Sequence, residues 1–225
     1  MKKISSWFEG IIWRNHLIEL ITVVIGITIA FGLNNWNEDR KDRQMEREYL
    51  QSIVADLEND IENMGGVIDT SSHLSSQTLK LIRLVKSGEN LEDSLSVYLI
   101  GAYSYAYFLP TTNTYEALQG SGNFSLIRNF ELRQKIIAQY NQHFGSVKEY
   151  DQVYRDFLQN QFMPRLFKEV DFSIFPMLES TDFIQEKEII NLIYSAYYYQ
   201  STRVTMYKAA REHALELLEN LKSYL

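Results

Sequence analysis

The chain of 225 residues contains no cysteine. That excludes a disulfide framework, a thiolate metal site and a cysteine nucleophile. It leaves the compartment open, because a cysteine-free domain is stable in either redox state. Proline (three) and glycine (ten) are scarce, so long uninterrupted helices are allowed. A many-stranded, turn-rich fold is disfavoured. Positive charge is also short: 22 Lys and Arg stand against 29 Asp and Glu, a net charge of −7. Residues 1–37 carry +1, from Lys2, Lys3 and Arg14 against Glu9 and Glu19, so the remainder carries −8. Phosphate contacts need clustered Lys and Arg. The basic cluster Arg40-Lys41-Asp42-Arg43 is interrupted by an acid, and no nucleic acid is expected as a partner.

What the chain does have is ordinary globular composition, with 45% hydrophobic and 23% charged residues, which argues against disorder. Its length suffices for one span and one domain with a core. From Leu17 to Leu33 the sequence reads LIELITVVIGITIAFGL, and its one charge is Glu19 near the start. Extended to Trp36, the run of roughly 20 residues makes a helix about 30 Å long, the thickness of a hydrocarbon core. Trp7, Trp13 and Trp36 lie outside the apolar run, as interfacial aromatics do. A cleaved signal peptide is the rival, with Ala30-Phe31-Gly32 as a weak site; the run is longer than a usual signal core.

Residues 17–36 are therefore expected to be a transmembrane helix. Ahead of it, Ile4, Trp7, Phe8, Ile11 and Ile12 recur at helical spacing, so residues 1–16 read as an amphipathic interfacial segment. Basic residues flank both ends of the span and do not decide orientation. A short N-terminal tail commonly stays in the cytoplasm, which places the domain in the periplasm, outside the inner membrane. Glu19, Thr22, Gly26, Ala30 and Asn34 share one stripe of the span. Small residues let two helices approach, and polar ones hydrogen-bond across the pair, so this stripe is a candidate packing face. The bland alternative has Glu19 reaching the headgroups or pairing with His16.

Residues 37–225 read as a soluble, acidic, antiparallel helical bundle, giving an all-α fold. The first helix carries Leu50, Val54, Leu57, Ile61 and Met64 on one face, and Gly65-Gly66 is expected to end it. A second helix is expected over Ser72–Val85, stopped by Ser87-Gly88. A third, capped by Asn90 with Asp93 in its first turn, spans Leu91–Phe108 and is ended by Pro110. Read as a second span, Leu95–Leu109 is too short and too rich in tyrosine. A short helix opens at Asn113-x-x-Glu116, with Gly120 at its C′ position. A long helical pattern through Leu132, Ile136, Tyr140, Val147, Tyr154, Phe157 and Leu158 runs to Pro164. Residues 171–180 read as a loop. Asp182 and Gln185 open the last helix, whose stripe is Ile193, Tyr197, Gln200, Val204, Tyr207, Arg211, Ala214, Leu218, Leu221 and Leu225. Alternating three-four spacing over four heptads fits a bundle or a coiled coil between subunits. Tyr197, Gln200, Val204, Tyr207, Arg211 and Leu218 are the candidate assembly face.

Chemistry is harder to find. His143 sits on the shoulder of the long stripe and reads as a partly buried, hydrogen-bonded histidine. His213, Glu212 and Glu216 place metal-ligand types on one helix, but no two-histidine protease signature accompanies them. The turn Gly120-Ser121-Gly122-Asn123 lacks the Lys-Ser/Thr of a phosphate loop and joins two helices. No G-x-S-x-G elbow exists. Of fifteen tyrosines, seven cluster at Tyr98–Tyr107 and Tyr197–Tyr199, where they line a groove or fill a core. No catalytic, cofactor or metal residues are assigned, and no enzyme is expected.

The run LIELITVVIGITIAFGLNNWNEDRKDRQMEREYL, and above all its Asn34–Glu38 block, resembles an uncharacterised family of small single-span proteins of Bacteroidota-type bacteria. So does TYEALQGSGNFSLIRNFELRQKIIAQYN, with the Thr114–Arg133 run as the second mark. Together they cover roughly a quarter to a third of the chain. The resemblance implies a helical inner-membrane protein of unknown function and supplies no activity. The expected role is a non-catalytic, membrane-anchored scaffold or accessory protein, a homo-oligomer or the partner of another membrane protein. The alternative is an envelope sensor that holds a small ligand in a tyrosine-lined groove.

Overall fold

The computed structural model describes residues 2–87, 95–171 and 182–225, without the side chains of residues 2–12, 14 and 15. Among the described residues there is no strand, and the fold is all-α. Helix α1 runs Lys2–Ser87, α2 Leu95–Tyr103, α3 Asn113–Ser121, α4 Phe130–Ala138, α5 Gly145–Phe157, α6 Met163–Leu166 and α7 Lys187–Tyr224. Short 3-10 turns cover Asn123–Leu126 and Asp182–Gln185, and π-helical stretches cover Gln139–Phe144 and Leu158–Phe162. The chain forms two compact units, Met1–Glu48 and Tyr49–Leu225.

In the first unit every apolar side chain from Leu17 to Trp36 is exposed on a bare helix, long and apolar enough to cross a membrane. The hydroxyls of Thr22 and Thr28 each donate to the carbonyl four residues back, at 2.8 Å. That back-bonding removes the two free hydroxyl donors that hydrocarbon would penalise. His16 lies 3.6 Å from Glu19, and Asn34 donates to Glu38 at 3.0 Å.

The second unit has two apolar cores with a buried polar layer between them. One core gathers Leu50–Ile68 of α1, α3, α4 and Tyr207–Leu221 of α7. The other gathers Leu81–Val85 of α1, α2, the end of α5, α6 and Ile189–Ala196 of α7. Between these stretches each long helix turns polar: Ser71, Ser75 and Thr78 on α1, Asp151 on α5, Gln200 and Arg203 on α7, all buried.

Several boundaries differ from those the sequence suggests. Gly65-Gly66 does not end a helix, because α1 continues to Ser87 and absorbs the predicted Ser72–Val85 helix. Each mid-helix glycine costs about 1 kcal/mol. Burying Ile61, Met64 and Ile68 on the same stretch returns about 1.5–3 kcal/mol apiece, so the helix persists. Helix α2 ends at Tyr103 rather than Phe108. The residue before Pro110 avoids the α region, and backbone groups of the non-helical stretch 104–112 are taken up by side chains of the bundle. The left-handed C-cap of α3 is Gly122, φ +72°, rather than Gly120. The long pattern to Pro164 is α4, α5 and α6 joined through both π stretches. Its missing N–H falls where the π register gives way to α. The readings at Asn90, Asp93 and residues 172–180, and the side chains of Ile4 to Ile12, lie outside the described residues.

Candidate functional site

The polar layer holds the densest chemistry in the molecule. Arg203, 1% exposed, points from α7 toward α5, where its Nε donates to Asp151 Oδ1 at 2.7 Å. Its Nη2 donates to the Ala106 carbonyl. Tyr207, one turn further along α7, donates its hydroxyl to Asp151 Oδ2 and accepts the Phe108 N–H at 3.2 Å. The guanidinium also lies over the rings of Tyr154, at 5.0 Å, and Tyr207, at 5.6 Å. A second set adjoins it. Gln200 Nε2 donates to the Gly101 carbonyl at 2.8 Å and to Tyr154 Oη at 3.1 Å, while its Oε1 accepts from Thr78 at 2.8 Å.

Electrostatics follow from that geometry. Burial opposes the charge on Arg203, but Asp151 and Tyr207 together outweigh it and hold the pKa above the ordinary arginine value. Burial, then the Asp151 charge, pushes the Tyr207 phenol above its usual range, so it stays a donor. Burial likewise raises Tyr154. Within the layer the Arg203, Asp151, Tyr207, Gln200 and Thr78 side chains are hydrogen-bonded to one another or to backbone. The buried Ser71 hydroxyl has no partner among the described residues. The network pins the stretch 104–112 by two backbone groups. A third tie comes from α1: the Thr111 N–H and hydroxyl donate to Asp60 Oδ1 at 3.0 and 2.9 Å.

Held this way, the stretch turns Tyr107 and Leu109 outward, 49% and 68% exposed. They face Gly145, Lys148, Glu149, Gln152 and Arg155 of α5 across a cleft of about 540 Å³, with Phe108 and Asp151 also lining it. A π stretch bounds α5 at each end, a feature frequent at functional sites.

The residues singled out from sequence fall as follows. Glu19, Thr22, Gly26, Ala30 and Asn34 are all exposed on α1, and a Cβ added at Gly26 meets nothing within 4 Å. On α7, Gln200 and Tyr207 are buried, while Tyr197, Val204, Arg211 and Leu218 are half-buried. The buried row runs instead through Ala196, Arg203, Ala210 and Leu217. Arg211 donates to the Ile61 carbonyl at 3.1 Å, and its Nε passes 3.8 Å from where a Gly65 side chain would begin.

His213 does have a second histidine beside it. The His143 and His213 rings stack at 3.9 Å and 22°, and burial, then His213, lowers the His143 pKa. Glu216, one turn along, pairs with Lys135 at 3.3 Å. Among the described residues no group of three or more His, Cys, Asp or Glu is placed to hold a metal ion. Arg203, Asp151, Tyr154 and Thr78 were not visible as a unit in the sequence. The available signal was a carboxylate, Asp151, in phase with Val147 and Tyr154 on an inward face.

A family model matches residues 19–201, from inside the apolar run to the polar layer of α7. The chain belongs to the family of unknown function DUF6090. No curated protein and no solved structure matches it. The DUF6090 match covers both units described above, and it includes Asp151 and Gln200 but stops two residues short of Arg203.

Proposed function

We propose that this DUF6090 chain is a non-catalytic, single-pass inner-membrane protein whose helical unit serves as a scaffold or accessory subunit. In this reading the N-terminus is cytoplasmic and the Tyr49–Leu225 unit is periplasmic. One observation carries it. The apolar side chains from Leu17 to Leu33 stay about half exposed on the isolated helix. So much uncovered apolar surface is stable only in lipid or against other helices. The Arg203, Asp151 and Tyr207 side chains of the second unit are occupied with one another, which supports a structural role for them in the interior.

Assembly is proposed along the Gly26 face, with a second copy or another membrane helix. Replacing Gly26 by Leu leaves the single chain undisturbed, since the added side chain enters open space. It blocks close approach of a neighbour. The G26L protein is expected to keep its helicity in detergent and to lose most of the crosslinked species that the unaltered chain forms in native membranes. Equal crosslinking in the two proteins, or none in the unaltered chain, removes the scaffold reading. Of the two tyrosine clusters, Tyr98, Tyr103, Tyr105, Tyr197 and Tyr199 pack against the interior, Tyr198 is exposed, and Tyr107 borders the cleft.

A further inference from the structure

We propose that the cleft between the stretch 104–112 and α5 binds a small organic carboxylate with an apolar or aromatic body. The carboxylate meets Arg155 and Lys148, and the body lies on Tyr107 and Leu109. This goes beyond the scaffold reading and does not depend on the span.

Four observations converge. First, the other buried or half-buried arginines of this unit direct N–H groups at acceptors. Arg165 reaches Glu169, Glu186 and Glu188, Arg203 reaches Asp151 and Ala106, and Arg211 reaches Ile61. Arg155 is different: its Nε is buried without a hydrogen-bond partner, and its guanidinium lies 5.9 Å over the Tyr107 ring. A planar fork with open donors beside an aromatic face suits a carboxylate. Second, Lys148, two turns before Arg155 on α5, lines the same cleft and forms no ion pair among the described residues. Two cations without carboxylate partners stand together in a domain that is otherwise acidic.

Third, the opposite wall is apolar and outward-facing, and about 540 Å³ is ample for a ligand of this kind. Fourth, that wall is held in place before any ligand arrives. Ala106, Phe108 and Thr111 are each tied to a buried side chain, so little ordering remains to oppose binding. The Asp151 carboxylate in the floor is already matched by Arg203 and Tyr207. The one unmatched acid of the rim is Glu149, which works against an anion.

The test is a ¹⁹F NMR titration of the full chain in detergent micelles with 4-fluorobenzoate, using empty micelles as the reference. Saturable binding above that reference is expected. Arg155→Gln should weaken it by about tenfold or more, as loss of a charge-assisted pair does. Lys148→Gln and Leu109→Ala should weaken it severalfold, and Glu149→Gln should strengthen it. 4-Fluorobenzyl alcohol should do no more than partition into micelles, and inorganic phosphate should displace 4-fluorobenzoate poorly. The proposal is overturned if 4-fluorobenzoate behaves as in empty micelles. It is equally overturned if Arg155→Gln, Lys148→Gln and Glu149→Gln bind alike, or if phosphate competes as well as 4-fluorobenzoate itself.

Discussion

Replacing Arg203 by Met strands the Asp151 carboxylate in the middle of the bundle with Tyr207 as its remaining partner. It also leaves the Ala106 carbonyl without its donor. Breaking a buried ion pair from one side costs about 3–5 kcal/mol, chiefly because the remaining charge is uncompensated. Asp151→Leu, which strands the guanidinium instead, should cost a similar amount. Together the two substitutions remove both charges. What remains is an orphaned carbonyl and a phenol without its acceptor, each worth about 1–3 kcal/mol. The double variant should therefore be more stable than the sum of the singles implies, by at least about 2 kcal/mol. The assay is urea unfolding of the full chain in detergent, followed by helical circular dichroism. With a slope of about 1–3 kcal/mol per molar, each single variant should lose about 1–5 M in midpoint. Single losses below about 1 kcal/mol, or additivity within about 0.5 kcal/mol, would refute the view that this pair holds the two cores together.

The stacked histidines set a pH dependence. His143 has a lowered pKa in the folded state, so folding favours its neutral form; stability should fall as pH drops through the ordinary histidine value of 6.5 and level off below the folded value. His143→Phe should flatten that part of the profile in the same urea assay. Gly66→Ala should stabilise by about 0.5–1 kcal/mol, since the position is exposed, mid-helix and open to a Cβ. Gly101→Ala should destabilise by about 1–3 kcal/mol, because the new Cβ would sit 2.8 Å from the Gln77 Cβ where α2 crosses α1. Both shifts are read as changes in thermal midpoint.

The helical class follows from scarce proline and glycine and from long apolar periodicities; the last helix reaches the C-terminus as read, but Asp182–Gln185 forms a 3-10 turn and the helix itself opens at Lys187. Its inward face is less legible. Of the stripe read from sequence, Ile193, Gln200, Tyr207, Ala214 and Leu221 are buried, but the buried face is completed by Ala196, Arg203, Ala210 and Leu217, one residue before the half-buried Tyr197, Val204, Arg211 and Leu218. Val204 looks like a core residue and Arg203 does not. The carboxylate that makes Arg203 acceptable lies 52 residues away on α5, beyond any local pattern. Gly65-Gly66 misleads for a similar reason, because glycine signals a helix end only where packing does not override it. The first half of the stretch 104–112, up to Phe108, reads as a helix in the sequence. The stretch is non-helical because Arg203, Tyr207 and Asp60 offer its backbone other partners. The cleft depends on that departure, so it had no signature in sequence.

Membrane anchorage with the domain outside the cytoplasm is the claim on which the proposed role depends. The absence of native cysteine makes it directly measurable, since any introduced thiol is unique. Single variants Ser5→Cys and Ser223→Cys, expressed in the cell envelope, are treated with a maleimide that does not cross the inner membrane. The account predicts that both proteins stay with carbonate-washed membranes. The thiol of S223C should be labelled at once, and that of S5C only after the inner membrane is permeabilised. Recovery of the chain in the soluble fraction, or labelling of S5C but not S223C before permeabilisation, would contradict it.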